Sequence, residues 1–88
     1  MKILAKQIDV YAVFLGDSKP HPVRFRIKKE DSEEKIVIKV DKVLSVADNK
    51  NAGKLSYIYR CRGRINGSLR EYELKYRINE CKWELYKM

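Results

Sequence analysis

Histidine and cysteine are scarce in this chain, and their scarcity argues against several kinds of site. The sequence has one histidine, His21, and two cysteines, Cys61 and Cys81, without the spaced partners that a zinc site needs. A catalytic nucleophile needs a base within reach and a third group that orients the base, whereas His21 lies between two prolines in a predicted turn. We therefore expect no metal, no cofactor and no enzymatic activity.

Long hydrophobic runs are also missing. No stretch of the sequence approaches the roughly 20 apolar residues that span a bilayer, and the apolar run in residues 1–7 is too short for a signal peptide. We therefore expect a cytoplasmic protein with no membrane partner. Because a chain of 88 residues buries only roughly 60 to 65% of its unfolded surface, residues 1–88 are predicted to form one domain with one core.

Positive charge dominates what is present. The chain has 20 basic and 12 acidic residues, which gives a formal net charge of +8. Such an excess favours acidic partners, either nucleic acid or an anionic protein surface. Hydrophobic residues make up 44% of the chain and charged residues 36%, a mixture that packs a core and argues against disorder.

Alternation of apolar and polar residues predicts three strands in the first half of the chain. Residues 7–15 form a β-rich run with two largely apolar faces, and residues 23–28 alternate strictly between apolar and cationic side chains. The charged segment 29–34 is predicted to be a hairpin loop, and a third strand is predicted from residue 36 to about residue 43.

Two segments are predicted to lie outside strands. Residues 45–54 contain two asparagines, an aspartate and a glycine, and this composition predicts the longest loop of the chain. Residues 1–7 are the only helical candidate and are too short to form a helix alone.

The strongest local signal is the Asn66-Gly67 pair between two alternating runs, which predicts a β-hairpin. A two-residue turn there pairs Cys61 with Tyr72, and a second two-residue turn at residues 79–80 places Trp83 on the same face. The two registers agree, so we predict a three-stranded meander. Its core-facing residues are predicted to be Tyr57, Tyr59, Cys61, Tyr72, Leu74, Tyr76, Ile78, Trp83 and Leu85.

These elements predict an all-β fold with six antiparallel strands that ends in the meander. A small barrel, closed or half-closed and of the size of SH3 and OB domains, is favoured because closure removes exposed strand edges. A two-layer β-sandwich is the alternative. In the predicted register the two cysteines are too far apart for a disulfide, which needs Cα atoms within about 7 Å.

Five basic residues are candidates for binding nucleic acid. Arg24, Arg26 and Lys28 occupy alternate positions of the second strand, so they are roughly 6 to 7 Å apart, close to the spacing of phosphates along one strand. Arg64 and Arg70, near the Asn-Gly turn, are predicted to extend this cationic strip.

The alternative interpretation is an ordinary solvated face that nearby acidic residues neutralise. These acids are Glu30, Glu33 and Glu34.

Most aromatic residues fall on the predicted inner face, where they fill the core, and Tyr11 and Tyr86 are predicted to be the exposed rings. The first strand also has a second apolar face, formed by Tyr11, Val13 and Leu15, while Val10 and Phe14 are predicted to face the core. This second face predicts an interface with another copy of the chain or with a partner protein.

The run Pro22–Phe25, the valine-rich third strand, the segment Tyr72–Tyr76 and the closing Trp83-Glu84-Leu85 resemble a group of small bacterial domains of unknown function. The resemblance covers most of the chain. It implies an all-β fold in a bacterial cytoplasmic protein and adds no activity and no functional residue.

Together these observations predict a non-catalytic binding module that contacts the nucleic-acid backbone without strong sequence readout. The alternative is a module for protein interaction or homo-oligomeric assembly. The two differ in salt sensitivity, because phosphate contacts weaken steeply as salt rises and an apolar interface does not.

Overall fold

The computed structural model describes residues 1–29 and 31–88 as one antiparallel β-sheet. Within these residues there are seven strands: β1 (Ile3–Val13), β2 (His21–Lys28), β3 (Lys35–Lys39), β4 (Lys42–Asn51), β5 (Lys54–Ile65), β6 (Ser68–Arg77) and β7 (Lys82–Lys87). Their order across the sheet is β3-β2-β1-β7-β6-β5-β4. The sheet curls into a half-barrel around one core, so the all-β, antiparallel and barrel-like part of the prediction is confirmed, with seven strands in place of six.

The predicted register of the meander is confirmed. Cys61 lies opposite Tyr72 on β5 and β6, and Tyr76 lies opposite Trp83 on β6 and β7. The turn that joins β6 to β7 is longer than predicted, because β6 ends at Arg77 and residues 78–81 form the turn.

The core lies on the concave face of the curled sheet. Its buried members are Ile8, Phe25, Ile38, Val40, Tyr59, Cys61, Ile65, Tyr72, Leu74, Trp83 and Leu85. Phe25 packs edge to face on Tyr72 with ring centroids 5.4 Å apart. The predicted core residues of the meander face this side except Ile78, which lies in the turn after β6, and Tyr57 and Tyr76 are only half-buried.

The predicted loop at residues 45–54 is wrong, because most of this segment belongs to β4. The strand pairs with β5 as far as Asn51 opposite Lys54, and the hairpin turn between them is Ala52-Gly53. β4 is the edge strand of the sheet, and edge strands tolerate polar residues that face solvent on several sides. The loop-like composition therefore reflects exposure rather than a lack of strand structure.

The beginning of the chain also differs from the prediction. β1 starts at Ile3 and ends at Val13, and a bulge between Ile3 and Lys6 holds Ala5 at a φ of 46°. A bulge breaks the alternation on which the prediction depended. Phe14 was predicted to face the core but is 62% exposed, because the chain leaves the sheet after Val13.

The charged connection between β2 and β3 is confirmed as a turn. Lys29 donates a backbone hydrogen bond of 2.8 Å to the carbonyl of Glu34. Glu30, which the sequence places in this turn, lies outside the described residues.

A corner at Val40 and Asp41 brings the two edges of the sheet together. The N–H of Val40 donates to the carbonyl of Val23 on β2, and the N–H of Asp41 donates to the carbonyl of Arg62 on β5, both at 2.9 Å. The predicted third strand is therefore divided here, with β3 on one side of the corner and β4 on the other.

Gly63 permits the close approach of β3 to β5. A Cβ atom at this position would lie 2.6 Å from the backbone oxygen of Lys39 and 3.0 Å from the hydroxyl oxygen of Tyr72. No side chain fits at such distances without a shift of the backbone, so the corner requires glycine.

Candidate nucleic-acid interface

β2 presents its basic side chains on the outer face of the sheet. Phe25 pairs with Ile38 and both are buried, so the alternating neighbours on β2 point away from the core. Arg24, Arg26 and Lys28 therefore share one face, where the sequence placed them.

Arg26 and Lys28 are paired with carboxylates. Arg26 donates from Nη2 to Oδ2 of Asp9 at 2.8 Å and from Nε at 3.2 Å. The hydrogen bond from Arg26 and then the charge of Lys35, 3.5 Å away, lower the pKa of Asp9. Lys28 Nζ lies 3.2 Å from Oε1 of Glu33. Of the acids named in the sequence analysis, Glu33 thus neutralises Lys28, whereas Arg26 is paired with Asp9 of β1, which was not among them.

A different set of residues crosses β1, β2 and β3 in one line, and we call it the outer row: Tyr11, Arg24 and Lys39. Tyr11 lies opposite Arg24, and Arg24 lies opposite Lys39. The guanidinium carbon of Arg24 is 4.6 Å from the centroid of the Tyr11 ring, and Tyr11 is 49% exposed. Among the described residues, neither cation of the row has a carboxylate within 4.0 Å.

Sequence reasoning missed Lys39. Its position in the third strand follows from the alternating pattern, but its place beside Arg24 depends on the register between β2 and β3. The turn between those strands is too long to set a register by its length, so no local signal in the sequence pairs the two residues.

Positive charge continues beyond the corner. Lys42 follows Lys39 by three residues, at most about 10 Å of extended chain, and lies opposite Arg62 on β5. Arg62 shares the carboxylate of Glu71 with Arg60, at 3.6 and 2.9 Å respectively. Lys42 is therefore one cation beyond the corner that extends the outer row.

Arg64 and Arg70 lie on β5 and β6, and the pairing of these strands places the two residues on opposite faces of the sheet, so one strip cannot include both. Arg64 lies opposite Leu69, and Arg70 lies opposite Gly63, one position further along the ladder. Adjacent ladder positions point to opposite faces of a sheet. Arg64 is thus on the outer face of β5, whereas Arg70 occupies a core-facing position.

The rings of Tyr11 and Tyr86 were predicted to be exposed, and of these two the ring of Tyr11 is exposed. Tyr86 is half-buried, with Lys75 Nζ 4.7 Å and Lys87 Nζ 5.3 Å from its ring centroid. Tyr59 and Tyr72 lie in the core, where burial raises the pKa of each hydroxyl. Tyr11 is accordingly the aromatic residue of the outer face that is open to stacking.

The apolar face predicted on the first strand is exposed. Val13 is 41% and Leu15 67% exposed beside Tyr11, and Phe14 and Val23 add further exposed apolar surface. The Phe14 ring lies edge-on to the ring of Tyr76, with the ring centroids 6.5 Å apart.

The two thiols differ in environment and are both free. Cys61 is fully buried, and this burial raises its pKa to about 12. Cys81 is exposed, with Sγ 3.7 Å from the carbonyl oxygen of Ile78. In the part of the chain that the structure describes, no group of three or more His, Cys, Asp or Glu side chains is placed to hold a metal ion.

The described residues also contain no helix long and apolar enough to cross a membrane. Comparison with known proteins finds no match to a protein-family model, to a curated protein or to a solved structure. The resemblance to small bacterial domains stays a prediction.

Proposed function

We propose that the protein is a non-catalytic module that binds single-stranded nucleic acid through the outer row, without strong sequence readout. The observation that supports this most directly is the line of Tyr11, Arg24 and Lys39 across three neighbouring strands. Proteins that bind single strands combine exposed planar groups, on which bases stack, with cations that follow the backbone.

Tyr11 and Arg24 supply the planar surface. The guanidinium of Arg24 lies over the Tyr11 ring. This cation–π contact holds the guanidinium in place. The outer side of a guanidinium plane is a stacking surface for a base, as aromatic rings are. Stacking of this kind accepts every base and therefore carries little sequence preference.

Lys39 and Lys42 supply charge for phosphates. Together with Arg24 they make three cations without a carboxylate within 4.0 Å among the described residues. Three phosphate contacts on a single strand correspond to a slope of about −2 in log affinity against log salt concentration. Arg26 and Lys28 contribute less to binding, because each must break its ion pair with a carboxylate before it can contact a phosphate.

Fluorescence anisotropy with labelled oligothymidylate and oligouridylate, at roughly 50 and 200 mM salt, tests the proposal. We expect affinity to fall about 20-fold over this range. The double variant Arg24→Gln/Lys39→Gln removes two contacts and should reduce the slope by about 1.4.

The matched control is Lys50→Gln/Lys54→Gln. It removes the same charge at the far end of the β4–β5 hairpin, roughly 25 Å from Lys42 along β4. In this control the slope of log affinity against log salt concentration should equal that of the wild-type protein. Equal losses in both double variants would mean that binding follows net charge alone, and binding that does not respond to salt would contradict phosphate recognition.

The exposed apolar surface supports a second candidate function, self-association through Val13, Phe14, Leu15 and Val23. Here the expected result is a sedimentation-velocity dimer that persists at high salt and dissociates in Val13→Ser/Leu15→Ser. A monomer at high protein concentration would leave this alternative without support.

A further inference from the structure

β1 takes part in two halves of the sheet, and these halves separate near the middle of the strand. Its residues from Ile3 to Ile8 pair with β7, and those from Asp9 onward pair with β2. β2 continues past Arg26, the partner of Asp9, to Lys28 with β3 on its other side. The sheet therefore opens between the first half of β1 and the end of β2.

This opening forms a groove of about 370 Å³ that is half open to solvent, which we call the inner cavity. Its walls are aliphatic, and they include Leu4, Ile27, Ile36, Ile65, Leu85 and Met88. Cavities that bind small molecules are typically about 300 to 1,000 Å³ and mostly apolar, with a few polar groups. The inner cavity is at the lower end of that range.

Three lysines also line this cavity: Lys6, Lys29 and, although its position on β2 is on the outer face, Lys28. Lys6 lies opposite Leu85, a fully core-facing residue, so the register places this cation on the concave side of the sheet rather than on the outer face. Among the described residues the one carboxylate within 4.0 Å of these lysines is Glu33, which contacts Lys28 and whose side chain is 95% exposed.

We propose that the inner cavity binds a single-chain amphipathic carboxylate, that is, a free medium-chain fatty acid. Its hydrocarbon chain would replace water against the aliphatic walls, and its carboxylate would contact Lys6 and Lys29. Charge complementarity selects this occupant, because an apolar cavity with cations at its mouth fits a molecule that has an apolar body and one anionic end. The proposal is independent of the outer row, which lies on the opposite face.

Isothermal titration calorimetry with octanoate, decanoate and 1-octanol, below micellar concentrations, tests the contributions of the hydrocarbon chain and of the carboxylate to binding. Burial of a methylene is worth about fourfold in affinity, so decanoate should bind about 15-fold more tightly than octanoate. Octanoate should in turn bind more tightly than the uncharged alcohol. Equal affinities for the two carboxylates, or for octanoate and octanol, would overturn the proposal.

Variants locate the site. Lys6→Gln/Lys29→Gln should lower the affinity for octanoate at least fivefold and leave that for octanol unchanged, whereas the control Lys50→Gln/Lys54→Gln should change neither. Leu4 is 42% exposed, so Leu4→Trp should narrow the cavity without unfolding the protein, which circular dichroism checks, and should abolish decanoate binding. Full decanoate binding by a folded Leu4→Trp protein would contradict the assignment.

A competition experiment separates this site from nucleic-acid binding. Oligothymidylate should not displace decanoate, and decanoate should not change the affinity for oligothymidylate. Displacement would show that nucleic-acid phosphates reach Lys6 and Lys29, and it would contradict the independence of the two sites.

Discussion

Two hairpin turns in this protein have the same backbone shape but different first residues. Asn66 and Ala52 both have a φ of 52°, and each precedes a glycine with positive φ. Asparagine tolerates this left-handed conformation, whereas the Cβ of alanine makes it unfavourable. The sequence therefore predicts the asparagine turn and gives only a weak signal for the alanine turn.

We expect Ala52→Asn to stabilise the protein and Asn66→Ala to destabilise it, each by about 0.5 to 1 kcal/mol. Urea unfolding measures both free energies. Changes of the same sign in the two variants would mean that the turns do not share the geometry described.

The two most buried tyrosines differ in hydrogen bonding. The hydroxyl of Tyr59 donates to the carbonyl of Pro20, whereas the hydroxyl of Tyr72 has no hydrogen-bond partner among the described residues. Tyr59→Phe should therefore destabilise the protein by about 1 to 3 kcal/mol, because it leaves a buried carbonyl without its donor. Tyr72→Phe should be neutral or stabilising. Thermal unfolding of the two variants makes the comparison, and a larger loss for Tyr72→Phe would contradict it.

The thiols provide a direct test of burial. A buried thiol with a raised pKa reacts slowly, since the thiolate is the nucleophile. In the native protein a thiol-specific disulfide reagent should label Cys81 within minutes at pH 8 and leave Cys61 unmodified, and both should react in denaturant. Rapid labelling of Cys61 in the Cys81→Ser protein would contradict its place in the core.

At the scale of strands, the corner between β3 and β4 depends on Gly63. We expect Gly63→Ala to destabilise the protein by about 1 to 3 kcal/mol, because its Cβ would overlap the backbone of Lys39. Ser68→Ala, at an exposed position of the same hairpin, is the control and should change stability by less than about 0.5 kcal/mol. Similar small effects of both substitutions would mean that β3 does not approach β5 as described.

The same strands show what sequence reasoning can and cannot reach. A two-residue Asn-Gly turn sets the pairing of every residue on both strands, so the register of β5 and β6 was predictable. β4 was not, because an edge strand needs few apolar residues and Ala52-Gly53 is a weak turn signal. The bulge at Ala5 hid the start of β1 in a similar way.

The candidate interface was likewise only partly predictable from the sequence. Strict alternation in β2 predicted that Arg24, Arg26 and Lys28 share a face. The long turn before β3 left its register open, so Lys39 could not be placed beside Arg24. Arg70 was assigned to the strip although it is two residues from Tyr72, which was predicted to face the core, and the alternation of the strand alone would have separated it from the basic face.

At the scale of the whole molecule, the curled sheet distributes its charge unevenly. The formal net charge is +8, but several cations of the outer face are paired with carboxylates, including Arg26 with Asp9 and Arg60 with Glu71. The outer row and Lys42 beside the corner combine exposed charge with an exposed ring. The concave face and its cavity are separate from them, so each proposed site can be tested in the other's absence.

The central claim is that single-stranded nucleic acid contacts the outer row. The most direct measurement is a ¹H–¹⁵N correlation NMR titration with short oligothymidylate at low salt. We predict that the largest shift changes occur at the backbone amides of Tyr11, Arg24 and Lys39 and that they diminish when salt is raised. Largest changes around Arg64 and Arg70, or no changes at low salt, would contradict the claim.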